Sequence, residues 1–171
     1  MDTFVTRLDR VLAFANKIAA LCIFGMAALV LAEITARSFF NYSIKLVWET
    51  GSYLLAASWF LAAGFTLRTG GHVRISILTS KLSPLLARRV DIAATVGGLA
   101  ICTIIWIAVL QLFMDSIKFN KASFTPMQTP LWIPQSFMVI GATLLLLTMI
   151  VRLCLLFQKK EPDQAFATDE L

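Results

Sequence analysis

Glu33, Glu49 and His72 are the residues whose types could move a proton or hold an ion in an otherwise mostly apolar chain. A carboxylate inside a bilayer is costly and persists where function repays it, as an ion site or proton relay. Glu33 interrupts an apolar run and is the first candidate. It stands within a turn of the end of that run, however, with Arg37 four residues on, the favoured order for an interfacial ion pair. Glu49 opens the next apolar run, where a helix dipole favours a carboxylate. Gln111 and Asp115 repeat the Glu33 pattern at the end of the third run. His72, the single histidine, falls in a polar connection, which excludes two-histidine haem ligation within this chain. Cys22, Cys102 and Cys154 each lie inside an apolar run without CxxC spacing and read as small buried hydrophobes. No deep carboxylate, histidine relay or paired broken helices mark a self-sufficient transporter. No nucleophile, base and acid share a spacing that points to an enzyme, and no cofactor or metal is expected. What remains is a membrane subunit that works by binding another protein.

The elements that must position these residues are read from hydropathy. The chain has 171 residues, 58% hydrophobic and 15% charged, more apolar surface than a soluble domain of that size can bury. A helix needs about 20 apolar residues to cross the hydrocarbon. Four stretches qualify, at about 11–36, 48–67, 92–114 and 134–157. Pro126 and Pro130 disfavour an earlier start to the last one, whereas Pro134 suits a first helical turn. The expectation is an all-α membrane protein: a single four-helix transmembrane domain over residues 1–160, then a polar tail at 161–171. The first stretch is too long for a signal peptide and lacks a convincing cleavage site, so it reads as a retained signal anchor.

Basic residues set the orientation. Arg7, Arg10 and Lys17 precede or enter the first span. Arg68, Arg74, Lys81, Arg88 and Arg89 fill the middle connection, and Arg152, Lys159 and Lys160 follow the fourth. Only Arg37, Lys45, Lys118 and Lys121 lie on the other side. The asymmetry places both termini and the middle connection in the cytoplasm. The net charge of +5 is spread between apolar runs, which suits lipid headgroups and not nucleic acid. Arg88, Arg89, Lys159 and Lys160 are the expected headgroup contacts, each worth about 1 kcal/mol at an anionic surface. Ile75, Leu78, Leu82, Leu85 and Leu86 recur at helical spacing and predict a short amphipathic cytoplasmic helix between spans two and three, interrupted near Ser83 and Pro84. Trp48 and Trp132 mark the outer interface, while Trp59 and Trp106 fall mid-span, where their N–H groups call for protein neighbours.

The order of several short motifs carries a resemblance. Arg37, Ser38, Phe39, Phe40, Asn41 and Tyr42 fill the first outer connection, followed by the pair Trp48 and Glu49. The second span runs from Trp59 through Phe60, Leu61, Ala62 and Ala63 to Gly64, and the turn after it reads Gly70, Gly71, His72, Val73, Arg74, Ile75. Thr129, Pro130, Leu131, Trp132, Ile133 and Pro134 introduce the fourth. In this order, over roughly residues 10–157, the chain resembles the small membrane subunit, DctQ type, of tripartite ATP-independent periplasmic (TRAP) transporters. It departs from the family pattern at Thr50, where a second acidic residue often follows the tryptophan, and at Ser76, where an aspartate often follows the histidine-valine turn.

The resemblance implies a partner: a large, many-helix membrane subunit that carries the substrate and sodium sites. It also implies a soluble periplasmic binding protein that delivers an organic acid, such as a dicarboxylate, a sugar acid or sialic acid. The small subunit would be a fixed scaffold in the bacterial inner membrane. Arg37, Asn41, Trp48 and Glu49 would organise an outer rim for these partners, ordinary interfacial anchoring and capping being the other reading. Trp59, Gly64 and His72 join them as expected partner contacts, and His72 could equally fix its turn through a backbone carbonyl. Small residues at Ala56, Ala57, Ala62, Ala63 and Gly64, and at Gly97 and Gly98, permit close helix contact in lipid. Two rivals stand beside this reading, a quinone-binding membrane anchor of a respiratory enzyme and a self-contained four-helix transporter. Glu33 lies too near its helix end for the latter.

Overall fold

The structure, a computed structural model, describes residues 2–44, 46–70 and 84–157. Those residues form four helices: α1 (Asp2–Phe40), α2 (Leu46–Arg68), α3 (Pro84–Lys118) and α4 (Trp132–Phe157). All four are long and apolar enough to cross a membrane. His72, most of the amphipathic connection, Lys159, Lys160 and the tail lie outside the described residues.

Each helix outruns or meets its apolar stretch. α1 has 39 residues, or ~58 Å at ~1.5 Å per residue, against a hydrocarbon layer of ~30 Å. Its extra turns hold Arg7, Asp9 and Arg10. Lysine, arginine and glutamate are good helix formers, so polarity alone does not end a helix at the interface. Backbone geometry does. Asn41, with φ of 53°, stops α1, and Asn120, with φ of 45°, stops α3. Asparagine tolerates this left-handed conformation better than other residues with a side chain. Lys121 N–H then turns back to the Ser116 carbonyl at 3.0 Å and closes the end of α3.

Leu85 and Leu86, expected in the amphipathic connection, sit in the first turn of α3, which Pro84 opens ahead of the expected start near residue 92. A proline at the first helical position gives up no hydrogen bond. Pro134 is similarly placed, buried near the start of α4.

The helices pack as a layer and not as a closed bundle. α1 lies against α2, α2 against α4, and α4 against α3; α1 reaches α4 only lightly, and α3 meets neither α1 nor α2 to any extent. The α1–α2 seam follows a regular spacing. Leu8, Leu12, Ala15, Ala19, Cys22, Met26, Leu29 and Glu33 are among the buried or half-buried positions of α1. On α2 the matching positions are Val47, Gly51, Leu54, Ser58, Leu61, Phe65 and Arg68. Steps of four and three alternate along both helices, the pattern of knobs packed into holes. Leu8, Leu12, Val151 and Leu155 form a core cluster where α1 meets α4. Ala15, Ala19 and Leu61 form a second between α1 and α2.

The α2–α4 seam depends on one glycine. A Cβ on Gly141 would stand 2.4 Å from the Phe60 carbonyl carbon and oxygen and 2.8 Å from the Leu61 nitrogen. The backbones themselves are in contact there, as small residues allow in lipid. α3 meets its neighbour along a narrower stripe, with Thr95, Val109 and Ser116 buried and most of the remaining circumference exposed.

Candidate partner-binding surface

The two ends of the layer are held differently. At the end where α1 starts and α2 finishes, the Arg68 guanidinium reaches Asp9 with Nε 2.9 Å from Oδ1 and a second contact of 3.3 Å. Arg68 is buried, so this fork closes the α1–α2 seam with a desolvated charge pair. Arg152 donates to Asp91 at 3.1 Å and ties α4 to α3 at the same end. Arg88, expected at headgroups, also donates to the Leu156 carbonyl at 2.9 Å and so caps the end of α4. Arg89 is exposed.

The opposite end carries the two glutamates. Glu33 is buried and accepts from Arg37, from Ser43 Oγ at 2.8 Å and from the Ile44 backbone N–H. Its carboxylate therefore holds the connection between α1 and α2 as well as pairing with Arg37, which is itself exposed. Asn41 ends α1 within that connection, and Tyr42 N–H turns back to the Ala36 carbonyl at 3.4 Å. Glu49 is also buried. It accepts from Tyr53 Oη at 2.9 Å and from Thr125 Oγ1, in the connection between α3 and α4.

That connection is a small hairpin. Ala122 and Pro130 form an antiparallel bridge, Ser123 N–H donates to the Thr129 carbonyl at 2.9 Å, and Leu131 N–H donates to the Lys121 carbonyl at 3.0 Å. Gln128, with φ of 50°, turns it, and Phe124 stands fully exposed on it. The two carboxylates are thus joints between helices and connections. Among the described residues, no three histidines, cysteines, aspartates or glutamates gather where a metal could be held.

The residues expected at a partner surface divide. Gly64 turns inward: a Cβ there would meet Leu12 Cδ2 at 2.7 Å and Thr148 Oγ1 at 3.4 Å, so its neighbours belong to this chain. Gly98 faces Met149 of α4, and Gly97 faces open space. Trp48 and Trp59 turn outward, each 75% exposed, with exposed Ser52 and Leu55 between them. Steps of four, three and four place these four residues in one stripe on α2. Trp106 lies the other way, its indole N–H donating to Thr143 Oγ1 at 2.9 Å inside the α3–α4 seam.

Sequence reasoning missed Asp9, Asp91, Thr125 and Gly141. The first two carry a weak signal, since each is an acidic residue at a helix end that an antiparallel neighbour must approach with its own basic end. Thr125 and Gly141 carry none, because their partners are fixed only when α2 and α4 are brought together.

Comparison with known proteins gives a family match. Residues 26–159 fit the family model described as tripartite ATP-independent periplasmic transporters, DctQ component. No curated protein and no solved structure matches the chain.

Proposed function

Because the chain belongs to the DctQ family, the small component of TRAP transporters, we propose that it is a static membrane scaffold on which a large, many-helix transport subunit is held. The observation that carries this reading is the open layer. α3 touches a single neighbour along a narrow stripe and α2 leaves a tryptophan stripe uncovered, so the chain has more apolar surface than its own packing uses. Its buried carboxylates are engaged as joints at the helix ends, which gives them a structural role and leaves transport chemistry to the partner.

In this reading the protein sits in the bacterial inner membrane with both termini and the middle connection in the cytoplasm, following its basic residues. The large subunit carries out sodium-coupled uptake of an organic acid, which a periplasmic binding protein delivers. The hairpin end, with Arg37, Asn41, Trp48 and Glu49, faces the periplasm and shapes the rim that these partners meet. Glu49 would do so through Thr125, by fixing the hairpin. Trp59 contributes from the outward face of α2. His72 contacts the partner or steadies its own turn, and Arg88, Arg89, Lys159 and Lys160 meet anionic headgroups.

Co-expression with the large membrane protein encoded beside it tests the proposal. A stoichiometric complex, active in organic-acid uptake only with sodium and a periplasmic binding protein, is the expected result. A chain that purifies alone and transports a solute in liposomes would overturn it.

A further inference from the structure

α2 spans 23 residues, and Trp59 lies eleven residues beyond Trp48. At ~1.5 Å per residue that separation is ~16 Å, which carries Trp59 from the interfacial layer to the middle of the span. Tryptophan favours the headgroup layer, where its ring is half apolar and its N–H is wet. Trp48 has such a place; Trp59 does not. In hydrocarbon an indole N–H without an acceptor bears the full desolvation cost of a polar group.

The protein answers this demand once. Trp106, also mid-span, donates to Thr143 on the adjacent helix. No described residue accepts from Trp59, whose ring is 75% exposed on the stripe with Trp48, Ser52 and Leu55. The outward side of α3 differs in kind. Ile101, Ile104, Ile105 and Ile107 cover it, and such a surface needs nothing that lipid tails cannot give. The Ser52 hydroxyl is already turned onto the Glu49 carbonyl at 2.8 Å, and exposed Leu55 follows it on the stripe.

Resting on the scaffold reading above, we propose that the Trp48–Ser52–Leu55–Trp59 stripe is the docking surface for one membrane-spanning helix of the large transport subunit. That helix presents a hydrogen-bond acceptor, a serine or threonine hydroxyl or a side-chain amide, to the Trp59 N–H at mid-membrane depth. The outward side of α3 faces lipid. Trp59 thus acts as a registry pin, fixing how far the partner helix sits across the bilayer.

The test uses the co-expressed complex in mild detergent. A photo-reactive phenylalanine analogue is placed at Leu55, with control positions Leu21 on α1 and Ile104 on α3, and the large subunit is followed by its own tag. Trp59→Phe is made separately, removing the N–H and keeping a ring. Capture of the large subunit from Leu55 but not from Ile104 is expected, with about a three- to tenfold loss in the amount of large subunit retained by Trp59→Phe. The thermal midpoint of the chain purified alone should be unmoved by that substitution. If the complex forms but capture comes from Leu21 or Ile104 and not Leu55, the docking surface is wrong while the scaffold reading stands. Capture of a second copy of this chain from Leu55, or full retention by Trp59→Phe, also overturns the proposal. Failure of the unmodified chains to associate at all would instead overturn the scaffold reading, and this proposal with it.

Discussion

The interhelical seams and the outward stripe of α2 are built from similar residues and end in opposite states. In the seams the tryptophan and both arginines find partners inside the chain: Trp106 finds Thr143, Arg68 finds Asp9, and Arg152 finds Asp91. On the stripe Trp48 and Trp59 stand free of the chain's own packing. The difference shows that tryptophan content does not tell where a membrane helix is buried. The adjacent helix decides, by bringing an acceptor to the ring or leaving it bare. Damage to a seam should therefore cost the stability of this chain, and damage to the stripe should cost association alone.

Arg68→Ala should have the largest effect. It leaves Asp9 half-shielded without its fork, and breaking a buried ion pair typically costs about 3–5 kcal/mol. A sharp fall in the thermal midpoint of the chain in detergent, with no partner present, is the expected reading. An unchanged midpoint would mean that the α1–α2 seam is not closed by this pair. Gly141→Ala should follow. The added carbon meets the backbone of Phe60 and Leu61, and overpacking of this kind typically costs about 1–3 kcal/mol. Polydisperse protein on gel filtration together with a lowered midpoint is expected, while normal elution and melting would show that α2 and α4 can separate cheaply.

Thr143→Val preserves shape and removes the acceptor from Trp106. Interhelical hydrogen bonds in membranes are worth about 0.6–2 kcal/mol, so a modest loss is expected. In a Trp106→Phe background the same change should cost much less, and equal cost in both backgrounds would show that the bond is not what holds the ring. Trp59→Phe should have the smallest effect on the chain alone, within about 0.5 kcal/mol, as for surface substitutions generally. If it destabilised the isolated chain as much as Thr143→Val, the contrast between seam and stripe would collapse.

The two glutamates show how much of the candidate surface could be read beforehand. Their positions at helix ends, and the Glu33–Arg37 pair, follow from spacing alone. That Glu33 also holds Ser43 and Ile44, and that Glu49 reaches across 76 residues to Thr125, could not. Gly64 makes the same point in reverse: a small residue marks close approach in the sequence, but only Leu12 and Thr148 identify what approaches.

By itself the sequence determined that this is an all-helical chain with four spans, because hydrocarbon demands about 20 apolar residues with their backbone bonds satisfied internally. It also carried the order of motifs from which the DctQ family was legible. The tertiary structure decided which side of each helix is inward and where each helix ends. In lipid both sides of a helix are apolar, so the periodicity that reveals a buried stripe in a soluble protein is nearly erased. The four-and-three seam of α1 and α2, the contact of Gly141 with the α2 backbone and the bareness of Trp59 exist only as relations between helices. Close packing and hydrogen bonding set those relations, and neither leaves a mark in hydropathy.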